Sequence, residues 1–526
     1  MSKFFLGLDS STQSLTAIII DFDAREVVYD RSVNFDVSLP HYGTKHGILP
    51  SNDPKIAHAP PLMWVEALDR MCEIMRGDKA PLGEILSISG SGQQHGTVYL
   101  NERAAAALAG LVTAGNLADA LRDVFSRPTS PVWMDSSTTT ECVEIRKTLG
   151  GAKATAETTG SDTFERFSGP QIRKFHRADP ISYENTRHIA LVSSFMSSLL
   201  AGRISPIDHG DGAGMNLMDI RKKEWLPKSL EATAPRLGER LPRLCAPWTV
   251  VGDASPYFTR RYGLNQSAKC VAWSGDNPCS VIGLGLINPG MVAISLGTSD
   301  TYFGTMKQCH TDPRSEGHVF GSPTGDYMTL ICFKNGSLAR EKIRDMYDMD
   351  WNQFSDALRQ TPPGNNGKIL LPYFEPEIVP KVLKPGPRRF FLQEQDAPGN
   401  CRAVVEAQML STRIHSEWMR VSPTQIYATG SASVNREILQ VMADVHQCPV
   451  YRFDVSNSAS LGAALRAAHG YFSHIGDTIP WEEVVRGFTE PTRGSRIDPN
   501  PDTLPIYDKL ARQYATLEAE VAGELA

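Results

Sequence analysis

The order of apolar and polar positions is most informative at the start of the chain. An apolar run at 4–8 leads to Asp9, small or polar residues follow at 10–13, and a second apolar run rich in β-branched residues occupies 15–20. This order predicts a β-hairpin whose turn carries a carboxylate, several hydroxyls and a row of backbone N–H groups. A triphosphate and its magnesium ion need such a set of groups.

Strand-like and helix-like segments alternate along most of the chain, which predicts an α/β fold. Short apolar runs predict strands at 85–90 and 268–275. Apolar residues at helical spacing predict helices at 62–76, 136–149 and 187–201. Dense proline and glycine predict loops at 40–61 and 364–399.

The opening pattern returns near residue 291. After turn residues at 287–290, a strand-like run at 291–296, a small polar turn and a second strand-like run at 301–305 follow one another. A chain of 526 residues also exceeds what one hydrophobic core usually organises. We therefore predict a duplicated fold with two domains, 1–286 and 287–526.

Charge and cysteine usage exclude several classes of function. The formal net charge is −6 and no basic stripe is interleaved with aromatics, so neither nucleic acid nor an anionic membrane is an expected partner. Nine cysteines are scattered singly, which is typical of reduced thiols. No apolar run reaches the roughly 18 residues of a spanning helix, and Asp9 comes too early for a signal peptide. We expect a cytoplasmic protein.

The C-terminal tail predicts a helix with an apolar face. From Tyr507 onward, apolar residues recur three and four positions apart. We expect this helix to dock on its own domain, because two heptads are too short for a dependable dimer seam. The sequence leaves a monomer and a homodimer both open.

Four small-residue turns, each following an apolar strand, are the candidates for chemistry. The sequence has neither a GxxxxGK[ST] phosphate loop nor an HExxH metal motif, and its other glycine-rich segments do not match GxGxxG. Any one such turn is common at strand ends for conformational reasons alone. Four of them in this order are far more specific. They lie at 9–13, 275–278, 296–300 and 428–433.

With these turns the chain resembles the FGGY family of carbohydrate kinases, which shares the fold of actin, sugar kinases and the Hsp70 ATPase. The order of motifs matches from residue 4 to about residue 472. The resemblance implies two actin-like, ribonuclease H-like domains with a cleft between them, the first binding sugar and the second binding nucleotide. The motifs that carry it are Gly7-Leu8-Asp9-Ser10-Ser11-Thr12-Gln13, Ser89-Gly90-Ser91-Gly92-Gln93-Gln94-His95-Gly96, Pro131-Val132-Trp133-Met134-Asp135-Ser136-Ser137-Thr138, Glu165-Arg166-Phe167-Ser168-Gly169, Ser274-Gly275-Asp276-Asn277-Pro278, Ser295-Leu296-Gly297-Thr298-Ser299-Asp300, Cys332-Phe333-Lys334-Asn335-Gly336-Ser337 and Ala428-Thr429-Gly430-Ser431-Ala432-Ser433.

The resemblance implies ATP and Mg²⁺ as cofactors and gives two aspartates their roles. Asp276 would be the general base that takes the proton of the sugar hydroxyl. The alternative is that Asp276 only caps the helix beginning at Asn277 or Pro278. Asp9 would organise the magnesium ion through water, since Mg²⁺ takes few protein carboxylates.

The remaining site residues are also implied by the resemblance. Four residues would bind the sugar: His95, Arg166, Asp276 and Asn277. A structural histidine, and an Arg166 that only pairs with Glu165 at the surface, are the alternatives on that side. Ser431 stands where the family commonly has a second glycine. The residues that would bind ATP are Thr12, Gln13, Gly297, Thr298, Trp351, Gly430, Ser431, Ala432 and Asn435.

Within the family, the motifs are most similar to those of members that phosphorylate D-xylulose at its 5-hydroxyl. The expected reaction is therefore ATP-dependent phosphorylation of this ketopentose. A kinase for another ketopentose or polyol, such as ribulose, is the alternative within the class. The loop Gln93-Gln94-His95-Gly96 differs from the Arg-containing loop of glycerol kinases. A nucleotide switch of the actin or Hsp70 type is the alternative from another class, and it would need no base such as Asp276.

Overall fold

The computed structural model describes residues 2–454 and 457–525. By their contacts these residues divide into two units, and the chain passes between the units several times. The first unit comprises 2–287, Phe320–Tyr327 and Asn457–Thr489. The second comprises Asn288–Val319, 328–454 and 490–525. No helix in the described residues combines the length and the apolar character needed to cross a membrane.

A twisted sheet forms the centre of the first unit. Its opening hairpin pairs Phe4–Ser10 with Ser14–Asp21, from Phe4 opposite Asp21 to Ser10 opposite Leu15. Phe4–Ser10 also pairs in parallel with Ile85–Gly92, and this places Asp9 opposite Ser91. The strands of the sheet in spatial order are Val250–Asp253, Lys269–Val271, Ile85–Gly92, Phe4–Ser10, Ser14–Asp21 and Glu26–Asn34, and Ser274–Gly275 pairs with the end of Ile85–Gly92.

Helices cover the sheet because its strands are apolar on both faces. Phe5, Leu6 and Leu8 are all buried. The helix Ser458–His474 packs directly on Phe4–Ser10 and Ile85–Gly92. It approaches so closely that a side chain at Gly7 would collide with the backbone of Ser460 and Ala464. The helices of the first unit are Phe35–Ser38, Pro61–Gly77, Ala104–Ala109, Leu117–Ala120, Thr139–Leu149, Ala152–Thr159, Ser168–Ala178, Pro180–Glu184, Val192–Ala201, His209–Ala213, Pro227–Thr233, Pro256–Tyr262, Asp276–Gly283, Ser458–His474 and Trp481–Val485.

A second hydrophobic cluster in the first unit lies among its middle helices. It gathers buried residues that include Tyr99, Phe175 and Tyr183. Short strand pairs brace this region, namely His58–Ala59 with Ser130–Pro131, Thr97–Leu100 with His188–Leu191, Ile207–Asp208 with Leu244–Cys245, and Met218–Asp219 with Glu224–Trp225.

The second unit, like the first, has a sheet in which one strand of a hairpin also pairs in parallel with a later strand. Met291–Leu296 and Asp300–Met306 form a hairpin, and Met291–Leu296 pairs in parallel with Gln425–Thr429. The sheet runs, in order, His318–Gly321, Tyr327–Phe333, Asp300–Met306, Met291–Leu296, Gln425–Thr429 and Val450–Arg452, and Ile369–Leu371 pairs separately with Arg388–Phe390. The helices of this unit are Ser337–Met346, Trp351–Gln360, Ala397–Ser416, Arg436–His446 and Leu504–Leu525.

The predicted helices and strands are largely confirmed, but the loops expected at 364–399 contain the paired strands Ile369–Leu371 and Arg388–Phe390, because local proline and glycine do not exclude short strands between the turns. The expected helix at 62–76 is Pro61–Gly77, and the strand at 291–296 is Met291–Leu296. The expected helix at 187–201 begins only at Val192, because His188–Leu191 is a strand paired with Thr97–Leu100. The expected strand at 268–275 is broken into Lys269–Val271 and Ser274–Gly275.

The division into the domains 1–286 and 287–526 stays a prediction, and the two units defined by contacts are not continuous along the chain. The chain does leave the first unit at Ile287, but 457–489 returns to it, and so does 320–327. The physical reason is the helix Ser458–His474, which fills the face of the first sheet. It also packs against Asp276–Gly283 with two glycines at the contact, where a side chain at Gly283 or Gly462 would strike the backbone of the other helix.

Candidate active site

Three polar segments leave the first sheet at one edge. In parallel pairing, Asp9 lies opposite Ser91, and Ser91 lies opposite Ser274. Because the carboxyl ends of parallel strands meet at the same edge, the hairpin turn, the loop after Gly92 and Asp276 are brought together. The sequence-predicted groups Asp9, His95, Asp276 and Asn277 therefore belong to one cluster.

Asp276 is the first residue of the helix Asp276–Gly283, and Gly275 occupies the N-cap position. Its Oδ1 accepts the backbone N–H of Gln94 at 3.2 Å and that of Asn277 at 3.0 Å. Burial raises the pKa of Asp276 from 3.8 to about 6. A role as helix cap alone accounts for the contact with Asn277 but not for the contact with Gln94, because Gln94 lies outside this helix.

Asp9 has an oxygen that none of the described residues satisfies. Within that part of the chain its Oδ1 is buried without a hydrogen-bond partner. Burial, with a smaller contribution from the negative charge of Asp276, raises the pKa of Asp9 to about 7, while the Ser91 hydroxyl opposes the rise. A cation at this oxygen would relieve both effects.

The residues around Asp9 suit magnesium better than a metal held wholly by protein. Among the described residues, no three His, Cys, Asp or Glu side chains are grouped so as to hold a metal ion. Mg²⁺ is commonly bound by one or two carboxylates, with water and substrate phosphates completing its shell. A single unsatisfied carboxylate oxygen fits that pattern.

The hairpin turn at Thr12 and Gln13 is held from outside the hairpin. The indole N–H of Trp133 donates to the Thr12 hydroxyl at 2.8 Å. The backbone N–H of Phe35 donates to the Gln13 carbonyl at 2.9 Å. Gly47 lies against the Thr12 carbonyl so closely that only glycine fits there. The region 35–61 thus packs on the turn, a contact that the sequence did not reveal.

His95 presents a neutral imidazole. Its backbone is left-handed, with φ +72°, and its ring lies 4.4 Å from that of Phe167, measured between centroids. Burial, reinforced by the positive charge of Arg166, lowers the pKa of His95 to about 3. Nδ1 lies 2.8 Å from the Gly214 carbonyl, which can only accept, so Nδ1 carries the proton and Nε2 is an acceptor.

Arg166 lies on the turn Phe164–Phe167, which the Phe167 N–H closes by donating to the Phe164 carbonyl at 3.0 Å. The guanidinium carbon lies 5.5 Å from the centre of the Phe164 ring. The Glu165 carboxylate accepts the Thr139 hydroxyl at 3.2 Å. The Phe164 ring lies 5.5 Å from the Phe167 ring, which in turn contacts His95, so these ring contacts link Arg166 to His95.

Gln93 and Gln94 are candidate site residues that sequence reasoning missed. The Asn277 amide donates to Gln94 Oε1 at 2.7 Å, so Asn277 orients Gln94 beside Asp276. Gln94 Nε2 and both polar side-chain atoms of Gln93 are buried without partners among residues 2–454 and 457–525. Buried polar groups are nearly always paired, so their concentration here indicates a site for a polar ligand. The signal was present in the motif Gln93-Gln94-His95-Gly96.

In the second unit, two glycine turns leave one sheet edge. Ser295 lies opposite Thr429 in parallel pairing, so Gly297 and Gly430 follow at adjacent strand ends. Gly430 has φ +83°, and a Cβ there would lie 2.6 Å from the Leu296 carbonyl oxygen. This close approach requires glycine. Thr298 is exposed beside Gly297.

The other predicted nucleotide residues follow Gly430. Ser431 and Ala432 lie in the short turn Ser431–Val434, and Asn435 caps the helix Arg436–His446. The Asn435 amide donates to the Ser355 hydroxyl at 2.9 Å. Ser355 lies on the helix that begins at Trp351, whose ring is 40% exposed. The structure thus brings the Asn435 segment and the Trp351 helix together.

A buried ion pair supports the Gly297 turn. Arg340 donates to both oxygens of Asp300, at 2.9 and 3.0 Å, and also to the Ser337 hydroxyl. The Ser337 N–H in turn donates to the Gly297 carbonyl at 2.8 Å. Asp300, which the sequence placed in the polar turn, is therefore buried behind it.

Models of one protein family match two consecutive parts of the chain. Residues 129–283 match the N-terminal domain of the FGGY family of carbohydrate kinases, and residues 292–471 match its C-terminal domain. The chain is 43% identical to a xylulose kinase of Rattus norvegicus over 99% of this chain and 97% of that protein. It is also 43% identical to xylulose kinase 2 of Arabidopsis thaliana, over 93% of this chain and 91% of that protein.

Solved structures share the fold at lower sequence identity. A xylulose kinase from Rhodospirillum rubrum superposes with a TM-score of 0.83 at 20% identity, covering 99% of this chain and all of that one. A gluconate kinase from Lactobacillus acidophilus superposes with a TM-score of 0.82 at 18% identity, covering 100% and 99% of the two chains. At these identities the likeness establishes the fold alone.

Proposed function

Because the chain belongs to the FGGY family of carbohydrate kinases, we propose that it transfers the γ-phosphoryl group of ATP to the 5-hydroxyl of D-xylulose, giving D-xylulose 5-phosphate and ADP. The full-length identity to xylulose kinases of rat and Arabidopsis supports this choice of sugar. The observation that carries the proposal is Asp276, a carboxylate set among unpartnered polar groups at the edge of the first sheet.

Asp276 acts as the general base. With a pKa of about 6 it is mostly ionised at neutral pH, yet more basic than an ordinary aspartate. Such a group can take the proton of the 5-hydroxyl as the oxygen attacks phosphorus. Phosphoryl transfer asks little else of covalent chemistry, since positioning and charge stabilisation supply most of the rate.

Asp9 would hold Mg²⁺, through water, by its unsatisfied Oδ1. The ion, when bound, supplies positive charge to the phosphate oxygens. The negative charge that ionised Asp9 would otherwise bring next to Asp276 is then balanced. Thr12 and Gln13 extend the same turn toward phosphate oxygens or magnesium-bound water, with the Thr12 hydroxyl fixed by Trp133.

Sugar recognition falls to groups that differ in hydrogen-bonding role. His95 offers Nε2 as an acceptor and Arg166 offers donors, while Asn277, whose amide N–H groups donate to Gln94 and Asp276, offers Oδ1 as an acceptor. Gln94 has a free donor in Nε2. A polyhydroxyl substrate that fails to match these buried groups leaves them unpaired, and this penalises the wrong sugar strongly.

Nucleotide binding falls to the second unit. Gly297 and Thr298 would present backbone N–H groups to the phosphates. Gly430, Ser431, Ala432 and Asn435 would receive adenosine, with Trp351 beside the adenine. We accordingly assign sugar binding to the first unit and nucleotide binding to the second. Action in the cytoplasm, as a monomer or a homodimer, stays a prediction.

The test is an ADP-release assay with the purified chain and Mg-ATP. D-xylulose, D-ribulose, xylitol and glycerol are each supplied as acceptor. We expect turnover with D-xylulose, and none with D-xylulose for Asp276→Ala despite measurable sugar binding. Asp179→Asn, an exposed helix cap, is the matched control and should remain active. Greater turnover with another acceptor would reassign the sugar, and no sugar-dependent turnover would refute the kinase reading.

A further inference from the structure

An exposed tryptophan is tied to the opening hairpin of the first unit. Trp133 and Met134 are the middle residues of a turn that the Asp135 N–H closes on the Val132 carbonyl at 2.9 Å. Both side chains are more than 40% exposed, which is unusual for such large apolar groups. The Trp133 indole nevertheless has a fixed partner, since it donates to the Thr12 hydroxyl at 2.8 Å.

The carboxylate of Asp135, only 1% exposed, holds this turn in place. Oδ2 accepts the Ala57 N–H at 3.1 Å and lies 3.4 Å from His58 Nε2. Oδ1 accepts the Ser137 N–H at 3.0 Å and Gln171 Nε2 at 2.8 Å. Burial would raise the pKa of Asp135, but the hydrogen bonds from His58, Ser137 and Gln171 hold it well below its ordinary value. The group is therefore an ionised acceptor for donors from three parts of the chain.

Gln171 carries the connection from Asp135 to the sugar side. The same Nε2 that donates to Asp135 also donates to the Glu165 carbonyl at 3.0 Å. Thr138 donates to that carbonyl as well, at 2.6 Å. Glu165 precedes Arg166 on the turn, so the position of the arginine backbone depends on this network.

We propose that Asp135 is a positioning residue for phosphoryl transfer, which holds the Trp133 indole on Thr12 and, through Gln171, the turn that bears Arg166. The inference rests on the proposed function and deepens it. The Asp135 carboxylate then sets the position of the hairpin turn at Thr12 and the position of Arg166 together, without touching either substrate. The bonds it makes are charge-assisted and thus stronger than those between neutral groups.

Three substitutions separate the two branches. Trp133→Phe keeps an aromatic ring but removes the indole donor to Thr12, and it should lower kcat about tenfold with little change in the KM for sugar. Gln171→Leu removes the donor that joins Asp135 to the Glu165 carbonyl and leaves the Trp133 indole in place, and it should raise the KM for sugar about tenfold with a smaller effect on kcat. Asp135→Asn presents an N–H to donors on one side of the former carboxylate. We expect it to change both parameters.

The matched control is Asp69→Asn, in the same unit. Asp69 is also buried, and it accepts the Leu117 N–H and the hydroxyls of Tyr257 and Tyr262. Its loss should lower the melting temperature as the loss of Asp135 does, but leave kcat and KM within about twofold of the wild type. Equal kinetic effects of the two variants, or wild-type kinetics for Asp135→Asn, would overturn the proposal.

A readout independent of turnover separates this inference from the proposed function. The full chain labelled with 5-fluorotryptophan should show a ¹⁹F resonance that Trp133→Phe deletes, which assigns it. Asp135→Asn should shift that resonance, and Asp69→Asn should not. If wild-type protein fails to phosphorylate D-xylulose but the shift is seen, the proposed function fails and the link from Asp135 to Trp133 stands. An unshifted resonance refutes the link, whatever the activity.

Discussion

Replacing the proposed base should make the protein more stable at neutral pH. Asp276 has an ordinary pKa of 3.8 that burial raises to about 6 in the folded chain. The folded state therefore binds the proton more tightly than the unfolded state, and ionisation opposes folding. The stability that this group contributes is full below pH 3.8 and is lost as the pH rises through 6.

Asp276→Asn removes the loss of stability that accompanies ionisation of Asp276, because asparagine does not ionise. Its Oδ1 can still accept the N–H groups of Gln94 and Asn277. The rise of the Asp276 pKa from 3.8 to about 6 corresponds to about 3 kcal/mol. The free energy of unfolding of the variant should equal that of the wild type near pH 4. It should exceed the wild-type value increasingly between pH 4 and 6, and by at most about 3 kcal/mol at higher pH. The variant should not phosphorylate the sugar.

Urea unfolding at pH 4, 5, 6 and 8, followed by tryptophan fluorescence, measures this gain. Six of the eight tryptophans lie in the first unit, so the signal reports mainly on the unit that holds Asp276. Asp179→Asn is the control of opposite sign, since hydrogen bonds from Ser182 lower the pKa of exposed Asp179. That variant should lose stability at neutral pH. A gain for Asp276→Asn that is equal at pH 4 and pH 8 would refute the reasoning.

Other predictions concern the base and the second unit. The rate constant kcat/KM should rise with pH through about 6 as Asp276 loses its proton, and a flat profile from pH 5 to 8 would exclude it as the base. Gly430→Ala should weaken ATP binding at least about tenfold in calorimetry, because φ +83° and the nearby carbonyl oxygen leave no room for Cβ. Gly494→Ala, also at positive φ but in open space, should cost about 1 kcal/mol in urea unfolding and leave ATP affinity unchanged. Arg340→Met should cost about 3–5 kcal/mol by leaving Asp300 buried and unpaired, and adding Asp300→Asn should restore part of that loss.

Elements with strong local patterns were predictable from the sequence. The opening hairpin, the helix Pro61–Gly77 and the second hairpin near 291 follow from apolar periodicity and turn residues. The meeting of Asp9 and Asp276 at one edge was implied by the resemblance to a family. Periodicity alone does not indicate which strands pair, so it could not predict that Asp9 and Asp276 lie at the same sheet edge.

Long-range partners were not predictable from local pattern. The helix Ser458–His474 is rich in alanine and glycine. This composition predicts close packing, but it does not indicate which surface the helix packs on. The hydrogen bond from Trp133 to Thr12 joins residues 121 positions apart, and Gln171 reaches Asp135 across 36. Such contacts depend on the whole fold, and the sequence holds no local signal for them.

The close contact at Gly7 has a consequence for biosynthesis. When a ribosome has made residues 1–287, the strand Phe4–Ser10 still has no helix on the face that Ser460 and Ala464 later cover. The nascent first unit must therefore wait, with apolar surface open, for about another 190 residues, or roughly ten to forty seconds at usual rates of synthesis. We expect a fragment ending at 287 to aggregate, and co-expression of 288–526 to rescue it.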